Sequence, residues 1–270
     1  MKDPVARLPI ERHPGGERLL DDVVVEEPME IRVDGQPLAV LMRTPGADLA
    51  LTAGFLHTEG VIEDAQDITA MAPCADPNKP HADNTILVAL AAGCRMDQSR
   101  LERARRAFFA SSSCGLCGKA TIDNVLMEVI PRPAFTMVPA ALIASLATRV
   151  SQPVFGSTGG LHAAALVTAS GEVLARAEDI GRHNAVDKVI GQRLLQDQPV
   201  EGIIWVSGRA GFEVVQKAVV SGADAMVSVG APSSLAVSLA QEARLTLIGF
   251  ARDGRFNVYA GGVTPAPAPS

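Results

Sequence analysis

The chain has 270 residues, 47% of them hydrophobic and 20% charged, with a net charge of −6. A core of that size stands without a disulfide or a metal, and the acidic balance excludes a nucleic-acid or membrane-surface binder that works through overall positive charge. A local basic pocket for a small anion is compatible with it.

Residues 1–20 mix charges with Pro and Gly and read as a mobile tail without the apolar core of a signal peptide. No apolar run approaches the roughly 20 residues of a membrane span. The expectation is a cytoplasmic protein with no membrane span and no nucleic-acid partner. Met29–Val33 and Leu38–Met42 flank Asp34-Gly35, which predicts a hairpin. Leu49, Thr52, Ala53 and Leu56 lie at helical spacing, which predicts a helix over Asp48 to Glu59 closed by Gly60. Ala72 to Asp83, carrying Cys74 and His81, is a loop, and Asn84 to Leu90 a strand. Arg95 to Ala107 is basic and reads as a helix leading to Cys114-Gly115-Leu116-Cys117-Gly118. Two prolines in Ile130-Pro131-Arg132-Pro133 mark a boundary.

Beyond it, Ala140 to Arg149 is a helix, and Ala163–Thr168 and Glu172–Ala177 form a hairpin. His183–Leu195, Phe212–Ser221 and Ser233–Ala243 are helices between the apolar strands Gly202–Ser207, Ala225–Val229 and Leu245–Ala251, the last read as the final long strand. The fold class is α/β (α+β). A tail of residues 1–20 precedes a small α+β domain over 21–130, which ends in the C-x-x-C loop. A three-layer α/β/α domain spans 131–263, and 264–270 is a Pro/Ala-rich disordered tail.

The C-x-x-C is the sharpest chemical signal. Two thiols at that spacing can share a metal, form a disulfide or pass a sulfur atom between them. A thioredoxin-like pair follows a strand and opens a helix; this one follows a serine run deep in the chain. A zinc site needs two further ligands, and Cys94, Cys74, His57 and His81 form no second tight pair. His57-Thr58-Glu59 followed by the C-x-x-C has the order of a zinc deaminase signature, but Ser113 stands where that signature has proline. A solvent-facing histidine at a helix end also explains His57.

Four segments of the second half suit an anion. Ser157-Thr158-Gly159-Gly160-Leu161-His162 offers backbone N–H groups and a titratable ring, and equally an ordinary glycine turn. Glu178 to Lys188 gathers Asp179, Arg182, His183, Asn184, Asp187 and Lys188 at a helix entrance, an arrangement that suits phosphate. Ser207-Gly208-Arg209-Ala210-Gly211 joins a buried strand to a helix, where open α/β sheets bind ligands, and Lys217 follows a little further on. Gly249 to Arg255 pairs Arg252 and Arg255 around Asp253-Gly254, an ordinary turn and also a plausible clamp for a phosphate or a purine face.

C-G-L-C-G at 114–118, G-G-L-H-A-A at 159–164, E-D-I-G-R-H-N-A-V-D-K at 178–188, S-G-R-A-G-F-E at 207–213, A-P-S-S-L-A-V at 231–237 and G-F-x-R-x-G-R ending at Arg255 occur in this order. With them the chain resembles the FdhD family, the formate dehydrogenase accessory sulfurtransferases. The resemblance implies a cytoplasmic homodimer with a C-terminal domain like cytidine deaminase. It implies a sulfur carrier that takes sulfane sulfur from a cysteine desulfurase as a persulfide. The acceptor is the molybdenum bis(molybdopterin guanine dinucleotide) cofactor, bound as substrate, which then serves formate dehydrogenase. Cys114 matches the persulfide carrier, and Cys117 is expected to assist release. Phe250, Ala251, Arg252, Asp253, Gly254 and Arg255 match the cofactor-binding segment. Arg182, His183, Ser207, Arg209 and His162 join them on chemical grounds, and GDP or GTP is the expected analogue. No resident metal is implied. A cofactor-binding chaperone without sulfur transfer and a zinc deaminase-like hydrolase are the alternatives.

Overall fold

The computed structural model describes residues 2–92 and 130–265. Cys94, the helix expected over 95–107, and Cys114 and Cys117 lie outside the described residues. The first described element corrects the expected tail. Strand β1 (Val5–Arg12) pairs with β2 (Glu17–Val24) in an unbroken antiparallel register from Val5↔Val24 to Arg12↔Glu17. Ala6, Leu8 and Ile10 share one face of β1, with Arg7 and Glu11 on the other, and Pro14-Gly15-Gly16 supply the turn. The interleaved charges mask that period in a composition reading.

β3 (Glu27–Val33) and β4 (Gln36–Arg43) form the expected hairpin. Asp34 and Gly35 both sit at positive φ (47° and 76°), as a tight hairpin turn requires. Helix α1 (Asp48–Thr58) follows, then β5 (Ile68–Pro73) and β6 (Thr85–Leu90), giving a sheet of order β4-β3-β6-β5. β5 was not expected; it is an edge strand with no buried side chain, so it carries no apolar alternation to read. Leu51, Phe55 and Leu56 of α1 pack on Met29, Ile31, Leu38, Ile86 and Val88 of the sheet.

The second unit begins with β7 (Met137–Pro139), α2 (Ala140–Arg149) and a short helix α3 (Pro153–Thr158). The hairpin β8 (His162–Val167) and β9 (Val173–Asp179) leads into α4 (Arg182–Leu194). Then come β10 (Ile203–Val206), α5 (Phe212–Val220), β11 (Ala225–Ser228), α6 (Ser234–Ala243) and β12 (Thr246–Arg252). β12 is not the last strand: it turns at Asp253-Gly254 into β13 (Arg255–Ala260), and β14 (Gly262–Thr264) pairs with β7. The sheet order is β13-β12-β11-β10-β8-β9, parallel only among β10, β11 and β12. Alternate side chains feed two cores. Ile204, Val206 and Met226 meet α4, α5 and α6, whereas Ile203, Trp205 and Val227 meet α2. Period-two alternation with both faces covered is what makes these strands read as continuous apolar runs.

The two units join where α1 crosses α4. A Cβ placed on Gly54 would lie 1.9 Å from the Asp187 carbonyl oxygen, and one on Gly191 would lie 1.8 Å from that of Ala50. The backbones touch because neither residue has a side chain at the crossing.

Candidate functional site at the edge of the mixed sheet

The joint explains much of the polar Glu178 to Lys188 segment. Asp179, Asn184, Asp187 and Lys188 are all buried. Asp179 pairs with Lys188 at 2.7 Å and accepts from the backbone N–H of Thr44 and Gly181. Asn184 donates to the Met42 carbonyl and to Asp179, and Lys188 donates to the Thr44 carbonyl. These residues fasten the β4–α1 corner onto α4. Asp187 accepts from Thr58 (2.8 Å) and pairs with Lys217 (2.9 Å), which also reaches Glu59 (3.3 Å). Burial opposes charge on Lys217, but Asp187 and Glu59 outweigh it and hold the ammonium above the usual lysine range. Burial pushes the Asp187 carboxyl up, against the opposing pull of Lys217 and Thr58. The expectation of a ligand site therefore holds for none of these four residues, nor for Lys217: their chemistry is spent on joining the units.

Glu59, the acid of the H-x-E pair, is engaged by Lys217. His57 does not face solvent as a helix-end residue would. It is largely buried, its Nδ1 has no hydrogen-bond partner among the described residues, and burial holds its ring below the usual histidine range. Among the described residues no group of three His, Cys, Asp or Glu is placed to hold a metal.

The remaining expected residues come to one edge. Strands β10, β11 and β12 end there, β9 ends there at Asp179, and β8 begins there at His162, which lies opposite Asp179. At about 4.8 Å per strand, the rim from β9 to β13 is roughly 24 Å long. Ser207 is fixed at its centre by a mutual bond with Ala163: its N–H donates to the Ala163 carbonyl, and its Oγ accepts the Ala163 N–H at 2.9 Å. Three loops are laced across the rim. Gly230 N–H donates to the Gly208 carbonyl and Phe250 N–H to the Gly230 carbonyl, each at 3.0 Å. Gly230 lies so close to Arg209 that a Cβ would approach its Cα to 3.0 Å, which requires glycine there.

At one end, His162 lies over Gly208, whose missing Cβ would be 3.2 Å from Nδ1. Its ring is half-buried, and burial, with Arg182, His183 and Arg209 nearby, lowers its pKa. His183 Nε2 is 3.1 Å from Glu213 Oε2, linking the first turns of α4 and α5. At the other end Arg252 and Arg255 face each other across the β12–β13 turn, with Asp253 and Gly254 at φ of 52° and 73°. Phe250 sits at φ 55°, rare for a bulky side chain, and its ring is 39% exposed. Ala251 differs from its neighbours. Its side chain is in the core, so only its backbone is available at the turn. Arg182, Arg209, Arg252 and Arg255 are all exposed, and no carboxylate pairs with them among the described residues. Glu213 closes the S-G-R-A-G-F-E segment, and nothing in the sequence signals its partner across the rim.

A mixed-sheet α/β protein with a long cationic rim, suited to an extended anion, is the class these features define. The FdhD/NarQ family model matches residues 24–264, and the chain belongs to that family. It is 48% identical over 269 residues to the sulfur carrier protein FdhD of Anaeromyxobacter dehalogenans, covering 96% of this chain and 92% of that protein. It is 47% identical to the sulfur carrier protein FdhD of Streptomyces coelicolor, covering 89% and 88%. A crystal structure from Desulfotalea psychrophila, described provisionally as a formate dehydrogenase accessory protein, superposes with a TM-score of 0.72. It is 26% identical and covers 95% of this chain and 96% of its own. No helix among the described residues is long and apolar enough to cross a membrane.

Proposed function

We propose that the protein is a sulfur carrier serving formate dehydrogenase, in which Cys114 carries a persulfide and the rim holds the acceptor, the molybdenum bis(molybdopterin guanine dinucleotide) cofactor. The observation that carries this reading is the rim. In a chain of net charge −6, four exposed arginines and two histidines gather along roughly 24 Å of one sheet edge. A single phosphate does not need that length; a cofactor of two dinucleotides, each with its own pyrophosphate, does. Arg182, His183, Arg209 and His162 suit pyrophosphate. Arg252 and Arg255 with the Phe250 ring suit a guanine nucleotide, the arginines by charge and stacking and the ring by its open face.

The sulfur chemistry balances as follows. The Cys114 thiolate attacks the outer sulfur of a persulfide on a cysteine desulfurase, which leaves as a thiolate, and Cys114 becomes the persulfide. The Cys117 thiolate then attacks the Cys114 Sγ and expels hydrosulfide, which replaces an oxygen ligand of the substrate metal, and that oxygen leaves as hydroxide. The sulfane sulfur gains the two electrons that the thiols lose in forming a disulfide, and a thiol reductant restores the pair. The relatives' name, sulfur carrier, supports this reading over a chaperone or a hydrolase.

Incubation with a cysteine desulfurase and cysteine is expected to add about 32 Da, one sulfur, to the intact protein, and Cys114→Ala to abolish the adduct. No adduct on the wild type, together with formate dehydrogenase still activated by Cys114→Ala, would refute sulfur transfer and leave the chaperone. GDP binding that survives the Arg252→Ala/Arg255→Ala variant would refute the clamp.

A further inference from the structure

Asp253 is the one acid in a clamp suited to an anion. The β12–β13 turn places it between Arg252 and Arg255, with φ of 52° followed by 73° at Gly254. It is exposed, and among the described residues its carboxylate pairs with neither arginine and accepts no hydrogen bond. A second Asp-Gly hairpin turn in the chain uses its acid differently. Asp34 has φ 47° before Gly35 at 76°, and its Oδ1 accepts the Leu90 N–H at 3.2 Å. Asn-Gly makes the same turn, so the backbone at 253 does not require a charge. A carboxylate beside two arginines weakens their hold on a phosphate, unless the ligand brings donors of its own to meet it. Within Phe250–Arg255, Asp253 is also the sole side-chain acceptor, since arginine only donates and phenylalanine does neither. Guanine presents two adjacent donors, N1–H and the N2 amino group, which match the two oxygens of a carboxylate. Adenine presents the N1 lone pair there, which a carboxylate repels.

We propose that Asp253 is the base-reading residue of the clamp: its two carboxylate oxygens accept N1–H and N2–H of a guanine base, and the same charge rejects adenine. The inference rests on the Phe250–Arg255 turn being the nucleotide site. The work of the turn is then divided. Phe250 offers its ring, 39% exposed, to the face of the base. Arg252 and Arg255 meet the phosphates, and Asp253 meets the Watson–Crick edge. Stacking and charge are blind to the base, because every purine has a face and every nucleoside diphosphate has the same charge. Discrimination between guanine and adenine therefore falls to Asp253.

The test is calorimetric titration of GDP, ADP and xanthosine diphosphate into the full chain and its Asp253→Asn variant, which keeps the turn. The wild type is expected to bind GDP about ten-fold or more tightly than ADP, the effect of a charge-assisted bidentate contact. In Asp253→Asn that preference falls by roughly ten-fold. Xanthine has a carbonyl at C2 where guanine has the amino group. The asparagine Oδ1 accepts its N1–H and Nδ2 donates to that carbonyl, so the preference for xanthosine diphosphate over ADP is expected to rise by roughly ten-fold. Loss of charge alone strengthens all three nucleotides together and leaves their ratios in place, so the ratios separate base reading from simple electrostatics. A GDP-to-ADP ratio unchanged in Asp253→Asn, or a xanthosine-diphosphate-to-ADP ratio that does not rise, overturns the role of Asp253 and leaves the clamp intact. Wild-type protein that binds GDP and ADP alike overturns base reading at this turn. Absence of GDP binding to the wild type overturns the nucleotide site itself, and the role of Asp253 with it.

Discussion

Replacing Gly191 with alanine sets local and tertiary physics against each other. Gly191 lies inside α4, where alanine is the better helix former by about 1 kcal/mol, so the isolated helix would gain. At the crossing with α1 the new methyl would sit 1.8 Å from the Ala50 carbonyl oxygen and 2.7 Å from the Gly54 nitrogen. Ordinary contact needs about 3.4 Å, so the helices must part by roughly 1.5 Å. The obstacle is backbone on both sides, and no flexible side chain can yield. Parting also pulls Asp187 and Asn184 of α4 from their partners Thr58 and the Met42 carbonyl. Overpacking of a tight core costs about 1–3 kcal/mol, and stretching the buried polar joint adds to it, for a net loss of roughly 3 kcal/mol or more. Trp205 is the single tryptophan and is buried, so its fluorescence reports urea unfolding. With a slope of about 2 kcal/mol per molar, the midpoint is expected to fall by roughly 1.5 M. A midpoint at or above the wild type would show that the helices separate freely, and would refute the account of the joint.

Lys217→Met strands the buried Asp187 without its cation, and is expected to destabilise the fold by about 3–5 kcal/mol in the same assay. Adding Asp187→Asn recovers part of that loss, which an unrelated packing defect would not. His162 and His57 have folded pKa values below the ordinary histidine value, so the folded state favours their neutral forms. Their contribution to stability is present above the unfolded pKa and is lost as pH falls through the folded values. The urea midpoint should therefore drop below about pH 6, and less so in His162→Gln. A bound anion offsets the neighbouring Arg182, His183 and Arg209 and favours the protonated ring. GDP affinity is thus expected to rise as pH falls from about 8 to 6. Equal pH slopes for the wild type and His162→Gln would remove His162 from the binding edge.

Short-range signals carried a large part of the architecture. Ala140 to Arg149 forms a helix over the expected residues, and Ser233 caps α6 as its position before an apolar run implies. Asp34-Gly35 makes its hairpin turn, and the apolar runs at 203–206 and 225–228 are strands covered on both faces. These features depend on residues a few positions apart, so the order of amino acids determines them. The same order carries the family's motifs and places glycine and arginine where strands end.

Tertiary structure alone divided the polar residues into those that join and those that face the rim. Arg182 and His183 directly precede Asn184 in the chain, and Asp187 follows one turn later, yet the first two lie at the open edge and the others inside a helix crossing. That division is made by partners more than a hundred positions away: Thr58 for Asp187, Met42 for Asn184, Thr44 for Lys188. A charged residue beside a helix start looks the same in sequence whether it awaits a ligand or a distant carbonyl. Which one it meets is fixed by where α1 lands, and the missing side chains of Gly54 and Gly191 let it land there.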